Sequence, residues 1–513
     1  MLKSSSLLRL ISSMSKNEKR NFKLNSQKSG EGQKLYVLLF DHLVKYGKFD
    51  DQRIIKRVPE IKKAQLSNLR ATLSKALLRS LRDINKEIYH EIKARERFDF
   101  AKVLYAKGQY RESLDMLQIV KRMAVEIHLK PLLYLAISFE KQIETQHVTK
   151  SMSPKAYQLA AESNAIIENL ILTNELSNLS LLLYARYLEN GYVKNEKEYQ
   201  ELHKYFYSLL PVIEAETLDF YQKLNLYQSY VWFYHMAQDF LNYYRYAQKW
   251  VNLFDEYPAM RGPGTVIYIK GMHNVLNALF MAGKRKQFRE NIEKLLQFND
   301  DKSLRLSVNE KGQLQLFKYT HGINSIFMSA NYAYGASFVR DLENTIEQMK
   351  YPWDPSRILV FNYKIACIYF GNGDLDRTIT FLNKVENTYQ ARLKVDIQCF
   401  SRVLNLIAHY DLGNDILVSY KIKSVFRFLL KMGELEKVQM EIFRFVRRTP
   451  KMKKDSIIEE FRKLREKLAD IENERFEKRP FLYLDIISWL DSKINKVSMV
   501  EAIIARREIS QRP

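Results

Sequence analysis

The residues best able to perform chemistry in this 513-residue chain are scattered and form no catalytic motif. Its nine histidines form neither HExxH nor HxxxH, and its two cysteines lack zinc-site spacing. No GxxxxGK(S/T) loop, GxGxxG loop after a strand or GxSxG elbow occurs. Isolated histidines are typical of helix surfaces and satisfied cores, as we expect for His42, His90, His203 and His409. The sequence therefore predicts a protein that is not an enzyme and that uses no cofactor or metal.

Charge points to a second kind of chemistry, because the chain has a formal net charge of +23. Residues 1–90 hold 20 Lys and Arg against 8 Asp and Glu, so +12 of that charge lies near one end. Helices predicted at 51–58 and 63–82 flank Pro59 and form a candidate helix-turn-helix. Its candidate nucleic-acid contacts are Lys56, Arg57, Lys62, Lys63, Gln65, Asn68 and Arg70. A basic face that only keeps the protein in solution explains the same charge equally well.

Helical hairpins are the elements that would position any binding residues. Ile358 to Tyr389 has two apolar stripes at helical spacing, on either side of a Gly371-Asn372-Gly373-Asp374 turn. We expect Gly371 to end the first helix in the left-handed conformation and Asp374 to cap the second. Two helices joined this tightly pack antiparallel, and each pair leaves an apolar flank that another pair must cover.

Turns of this kind recur along the chain, 40 to 45 residues apart with one turn skipped. They lie near Gln238, Gly283, Gly373 and Gly413, and the skipped turn is expected between Asn331 and Gly335. The hairpin around Gly108 lies 130 residues before Gln238, which leaves room for two further pairs with turns near 149–153 and 190–195. The predicted organisation is a basic helical N-terminal subdomain (1–60), a connecting helix (61–94), helical repeats (95–433) and a charged helical C-terminal cap (434–513). The connecting segment is either one long helix or two helices with a break near 83–85.

Two of the hairpins resemble the tetratricopeptide repeat. AKVLYAKGQYRESLDML and ACIYFGNGDLDRTITFL each have a small residue in the first helix, Gly in the turn and a small residue early in the second helix. These roles fall to Ala101, Leu104, Gly108, Tyr110 and Ser113, and to Ala366, Tyr369, Gly373, Leu375 and Thr378. The resemblance covers roughly Arg95 to Gly433. It implies an all-α fold, a right-handed α-solenoid of stacked antiparallel helix pairs.

The resemblance also implies a concave groove lined by the first helix of each pair, where such proteins hold a peptide or a partner's helix. Residues at the corresponding inward positions are Lys102, Tyr105, Gln228, Trp232, His235, Lys270, His273, Asn274, Asn277, Tyr363 and Lys364. Asn amides can bond a peptide backbone and Lys attracts carboxylates. Some tetratricopeptide-repeat proteins clamp a terminal carboxylate with Lys and Asn, and the resemblance makes Lys270, Asn274 and Asn277 candidates for such a clamp. Core packing is the competing interpretation for Trp232 and Tyr105.

The sequence supports two functional hypotheses of different class. The first is a non-catalytic scaffold that binds a protein or peptide in the groove. The alternative is a nucleic-acid-binding regulator with a helix-turn-helix-like basic head and a helical-repeat sensor. The chain contains no run of about 18 apolar residues, so we expect no membrane span. Cys367 and Cys399 lie in helical patterns, so we expect buried thiols and a cytoplasmic protein.

Overall fold

The regular structure of the chain is helical. The computed structural model describes residues 3–510 apart from 28–34, 87–88, 148–152, 215–216, 301–305, 349–350, 352, 389–393, 433–436, 449–453, 478–480 and 482–483. No strand occurs in these described residues, which confirms the all-α prediction. The chain forms two compact units, Met1–Asn174 with Tyr257–Gly264, and Glu175–Glu256 with Thr265–Pro513.

The first unit begins with a small helical head that has a core of its own. Its helices are α1 (Ser4–Ser13), α2 (Lys16–Gln27), α3 (Leu35–Tyr46), α4 (Asp51–Arg57) and α5 (Leu66–Asn85), with a 3-10 turn at Lys63–Gln65. Apolar residues from all five helices share this core, among them Leu7, Phe22, Leu39, Ile54 and Leu73. Because α5 ends at Asn85 and the next helix begins at His90, the connecting segment is two helices.

Four further helices of the chain follow the head. They are α6 (His90–Ala106), α7 (Tyr110–Glu126), α8 (Lys130–Gln146) and α9 (Ser153–Asn190), and α9 contributes residues to both units. The crossing of α6 with α7 is closed at Ala101 and Ser113, which are both fully buried. Ser113 Oγ donates to the Ala101 carbonyl oxygen at 2.8 Å, so this short side chain reaches directly across to the backbone of the facing helix. The hairpin predicted around Gly108 is thus present, with its small residues at the helix crossing.

The second unit contains a row of helix pairs. They are preceded by α10 (Glu196–Leu209) and comprise α11 (Phe220–Met236), α12 (Phe240–Glu256), α13 (Thr265–Met281), α14 (Arg285–Asp300), α15 (Val308–Ser329), α16 (Tyr332–Glu347), α17 (Pro355–Gly371), α18 (Leu375–Glu386), α19 (Val395–Asp411) and α20 (Asp415–Met432). The left-handed residues of their turns stand at 238, 283, 330, 373 and 413, so consecutive turns are 40 to 47 residues apart. Ala330 supplies the turn expected near 331–335. Neighbouring helices pack in sequence order, as in a helical repeat, and the handedness stays a prediction.

The turn between α17 and α18 differs from the prediction in one residue. Gly373, with a φ of 80°, takes the left-handed conformation that we expected of Gly371. Gly371 is the last residue of α17, as predicted, but it keeps the helical conformation, and a Cβ atom there would come within 2.6 Å of the Tyr332 ring. The Asp374 cap is confirmed, because its carboxylate accepts from the Arg377 amide at 3.1 Å. Gly371 is therefore required by a close packing contact and not by its backbone conformation.

The C-terminal helices pack back on earlier pairs of the second unit. They are α21 (Lys437–Arg448), α22 (Lys454–Glu472), α23 (Ile486–Asn495) and α24 (Met499–Ser510), and the predicted start at 434–436 lies outside the described residues. Trp489 Nε1 donates to the Asp411 carboxylate at 3.0 Å, and Arg507 donates to the Phe327 carbonyl oxygen at 3.0 Å. This segment therefore contacts the end of α15 as well as the end of α19, which is more than a cap on the last pair.

Gly371 packs against Tyr332 whereas Gly312 has free space around it, so Gly→Ala substitutions at the two positions should change the free energy of unfolding in opposite directions. Gly371→Ala should lower the free energy of unfolding by about 1–3 kcal/mol, because the buried Tyr332 ring cannot move away cheaply. Gly312→Ala, in α15, meets no atom closer than 3.8 Å and should raise it by up to about 1 kcal/mol through helix propensity. Urea unfolding followed by circular dichroism measures both, and a Gly371→Ala variant as stable as Gly312→Ala would contradict the packing argument.

Candidate binding surface

The candidate site is built on the first helices of the pairs, which are α11, α13, α15, α17 and α19. From α13 onward the successive members contact one another, α13 with α15, α15 with α17 and α17 with α19, and α12 packs against both α11 and α13. Each of the second helices α12, α14, α16 and α18 packs against two first helices, the one that precedes it and the one that follows it in the chain. The first helices from α13 to α19 therefore form one layer, and α11 is joined to it through α12. Nine of the eleven predicted groove residues lie on α11, α13 and α17.

An aromatic cluster lies where α11 meets the end of α9. The Trp232 ring is 4.8 Å from the ring of Tyr184 and 5.3 Å from that of Tyr187, measured between centroids. Tyr184 is 39% exposed, whereas Tyr187 and Trp232 are half-buried. The Lys394 ammonium donates to the Tyr187 hydroxyl at 3.2 Å and lies 5.0 Å from the ring centroid. Trp232 is thus partly open to solvent at an aromatic surface and is not sealed in the core.

His235 and Tyr243 connect this cluster to the predicted asparagines. His235 is buried, its Nε2 lies 2.9 Å from the Tyr192 hydroxyl, and its ring stacks on Tyr243 at 4.8 Å. The Tyr243 hydroxyl donates to Asn274 Oδ1 at 2.8 Å and accepts from Asn277 Nδ2 at 3.2 Å. The two amides are therefore fixed by the protein before any ligand binds.

The exposed part of α13 presents a cation beside these amides. Lys270 is exposed, and its carbonyl oxygen accepts from Asn274 Nδ2 at 2.8 Å. Gln228 is half-buried one helical turn before Trp232 on α11. We use the name aromatic–amide surface for the set of half-buried or exposed residues Tyr184, Tyr187, Gln228, Trp232, Lys270, Asn274 and Asn277. Its chemistry is that of a binding surface, with apolar rings, amides and one cation.

A second polar cluster joins side chains of α13, α15 and α17. Lys364 Nζ donates to Asn324 Oδ1 at 2.7 Å, and His273 Nδ1 lies 2.9 Å from His321 Nε2. Burial, with a smaller effect of the neighbouring cation Lys364, holds the pKa values of both histidines well below their usual 6.5. Burial likewise lowers the pKa of Lys364 to about 7. These groups serve the interior of the second unit, so His273 and Lys364 are held by the protein itself.

Tyr363 and Lys364 depart from the predicted groove lining. Their exposed fractions are 2% and 3%, so neither reaches solvent. Tyr363 lies with Phe400, Val403 and Leu404 against residues of the C-terminal helices, around a residual cavity of about 10 Å³. The cavity residues from that side are Val438, Gln439, Ile442, Leu484 and Ile486. The C-terminal segment thus covers this part of the layer, which the local sequence pattern did not indicate.

The two remaining predicted groove residues belong to the first unit. Lys102 is exposed on α6, and its ammonium lies 4.9 Å from the centroid of the Phe98 ring. Tyr105 is half-buried, and its hydroxyl donates to Gln146 Oε1 at 2.7 Å. Its ring also contacts Phe139 edge-on at 5.3 Å. Tyr105 therefore packs against α8 as well as facing solvent.

The candidate nucleic-acid contacts lie at the junction of α4 and α5 in the head. Six of them are exposed, namely Lys56, Arg57, Lys62, Lys63, Gln65 and Asn68. Arg70 is half-buried, forms an ion pair with Asp51 and covers the Phe49 ring at 4.5 Å. Arg70 therefore stabilises the head, and the other residues form one exposed group.

Sequence reasoning missed Tyr184, Tyr187, Tyr243 and Lys394 as members of the site. Tyr184 and Tyr187 are three positions apart on α9, a helical spacing that puts them on one face, and this signal was present. Tyr243 lies on a second helix, which the groove prediction excluded. Lys394 joins the cluster across 207 positions, and no local pattern could show that contact.

No known family pattern, no curated protein and no solved structure matches this chain. Among the described residues, no helix has the length and apolar character that crossing a bilayer requires. Within that same part of the chain, no three His, Cys, Asp or Glu side chains converge as metal ligands would. Function must therefore be inferred from the geometry of the residues themselves.

Lys364 predicts a defined pH dependence of stability. Its folded pKa of about 7 lies below its ordinary 10.5, so above pH 7 the unfolded chain binds more protons and stability rises with pH. From pH 7 to about 8.5 the wild type should gain roughly 1–2 kcal/mol, and Lys364→Met should lack that gain. Urea unfolding across this interval measures the difference.

The interval and the control isolate Lys364 from other groups. Burial raises the pKa of the Cys367 thiol to about 12, which opposes the gain above its ordinary 9, and the two histidines titrate below the interval. Lys270→Met removes an exposed lysine from the same layer and should leave the slope unchanged. An equal slope in Lys364→Met and wild type would show that Lys364 is not the titrating group.

Proposed function

We propose that this chain is a non-catalytic scaffold that binds a peptide segment of another protein on the aromatic–amide surface. One observation supports this most directly, which is that Trp232 and Tyr184 remain partly exposed within a cluster of contacting rings. Aromatic side chains that are rigidly held and incompletely buried are the residues that dominate protein-binding energies. The tetratricopeptide resemblance of the flanking hairpins favours the same function.

The amides of the surface suit a peptide backbone. Asn274 and Asn277 are held by the Tyr243 hydroxyl, so their orientation is set in advance and binding needs little further ordering. Each amide keeps further donor or acceptor capacity beyond these bonds. The surface therefore combines apolar anchors with fixed polar groups, which together determine where a peptide can lie.

The charge of the surface selects the class of ligand. Lys270 is exposed beside Asn274, and the chain as a whole carries +23. A peptide with an acidic side chain or a terminal carboxylate near an aromatic or aliphatic residue matches this arrangement. We place this binding protein in the cytoplasm, a proposal supported by the free, buried thiols of Cys367 and Cys399.

Substitution of Trp232 gives the direct test of this function. Peptides selected from a random displayed library on the wild-type protein should lose about 2 kcal/mol of binding energy, roughly 30-fold in Kd, on Trp232→Ala. Lys270→Glu should weaken the acidic members of the same set, because it places two negative charges together. Fluorescence polarisation of labelled peptides gives both Kd values.

The matched control is Tyr334→Ala, which removes an aromatic ring that is 57% exposed on α16, outside the surface. It should bind the selected peptides as tightly as the wild type does. Thermal unfolding of each variant verifies that the second unit remains folded. Peptides that bind Trp232→Ala and wild type with equal Kd would place the ligand elsewhere, and a library that yields no binding peptide would contradict the proposal.

A further inference from the structure

The head of the first unit has the construction of an independent small domain. Its core is a separate cluster of buried residues from α1 to α5, among them Ile11, Phe40, Leu43 and Leu77. The longest member, α5, buries a stripe that includes Leu66, Leu73 and Leu77 against this core. The opposite side of α5 is consequently free to face a ligand.

The exposed side chains on the outer face of α5 change from neutral and polar near its start to positively charged further along it. Asn68, Thr72, Lys75 and Arg79 are all exposed and follow one another at steps of four, three and four residues, which places them on one side of the helix. The first two are neutral hydrogen-bonding side chains, and the last two are cations. A face of this kind offers hydrogen bonds near the start of the helix and positive charge further along it.

Cations also flank the start of α5. Lys56 and Arg57 end α4, and Lys62 and Lys63 precede α5, all four with exposed side chains. The ion pairs of this region join Arg53 to Asp50 and Arg70 to Asp51 instead. The Arg57 guanidinium lies 4.0 Å from the centroid of the Tyr46 ring, which fixes its position while leaving its N–H groups available.

We propose that the head binds double-stranded DNA with the exposed face of α5 in the major groove and with Lys56, Arg57, Lys62 and Lys63 on the flanking phosphates. Asn68 and Thr72 stand where side chains of a recognition helix meet base edges. The four cations lie on both sides of the α4–α5 turn, which matches the phosphates that border a groove. This activity is independent of peptide binding by the second unit.

The composition of the face favours DNA over other anionic partners. A membrane surface or an acidic protein is held through several apolar anchors as well as cations. Beside the cations α5 exposes one large apolar side chain, Leu78, while Asn68 and Thr72 at the start of the face are hydrogen-bonding side chains instead. The major groove of duplex RNA is too deep and narrow for a helix, whereas that of B-form DNA admits one. Duplex DNA is therefore the ligand that fits the α5 face.

Binding of the full chain to a labelled mixed-sequence duplex of roughly 30 base pairs tests this, since that length gives three helical turns. At physiological salt we expect a Kd of about 1–100 μM, and log K should fall with log salt by about 0.9 for each phosphate contacted. Lys56→Glu/Lys62→Glu/Lys63→Glu should abolish binding at that salt concentration, and at low salt its slope should be smaller by roughly 0.9 for each lost contact.

A second triple variant controls for net charge. Arg9→Glu/Lys16→Glu/Arg20→Glu makes the same number of charge reversals at exposed positions of α1 and α2, and it should bind DNA within about threefold of wild type. Equal losses in the two variants would show an unspecific charge effect and overturn the proposal. So would tighter binding of duplex RNA or of poly-glutamate, or no binding of DNA at low salt. Circular dichroism verifies that both variants fold.

Discussion

The close approach of the two helices within each hairpin is the constraint on which the rest of the structure depends. Ala101 with Ser113, and Ala366 with Thr378, are fully buried at the crossings. In both pairs the hydroxyl reaches the facing carbonyl oxygen, at 2.8 Å and 3.5 Å. The short turns that join these helices use a left-handed residue, Gly108 or Gly373. Each finished hairpin then has one apolar flank left, and burying that flank holds neighbouring pairs together.

The exposure of a polar side chain in the layer of first helices depends on which other elements pack over it. Asn274 and Asn277 bond to Tyr243 and are still partly exposed. Lys364 occupies a similar position on α17, yet it is buried and bonded to Asn324. The C-terminal helices cover α17 beside it at Tyr363. One repeating pattern therefore yields a partly exposed polar face in one part of the layer and a core in another.

Features that depend on local sequence were predictable, and features that depend on distant packing were not. The all-helical fold, the turns at Gly283 and Gly413, the Asp374 cap and the buried cysteines follow from spacing, turn chemistry and apolar content. The turn composition did not separate Gly371 from Gly373, since the distinction depends on Tyr332, about one repeat earlier in the chain.

The candidate site shows the same division between local and distant causes. Trp232, His235 and Asn274 were predicted from the inward positions that the tetratricopeptide resemblance implies, and contacts through Tyr243 connect His235 with Asn274. The burial of Tyr363 depends on Leu484 and Ile486, and the pairing of Tyr187 depends on Lys394. Arg70 was predicted to contact nucleic acid, but its charge is neutralised by Asp51. In each case the deciding partner lies outside the helix whose pattern was interpreted.

The packing of the C-terminal helices on α17 and α19 has a consequence for protein synthesis. Tyr363, Phe400 and Leu404 leave the ribosome well before Leu484 and Ile486, the residues that cover them. At ordinary elongation rates the delay is on the order of ten seconds. During that time a nascent chain displays an uncovered apolar surface, which is the kind of surface that chaperones recognise and that associates with other nascent chains on the same polysome.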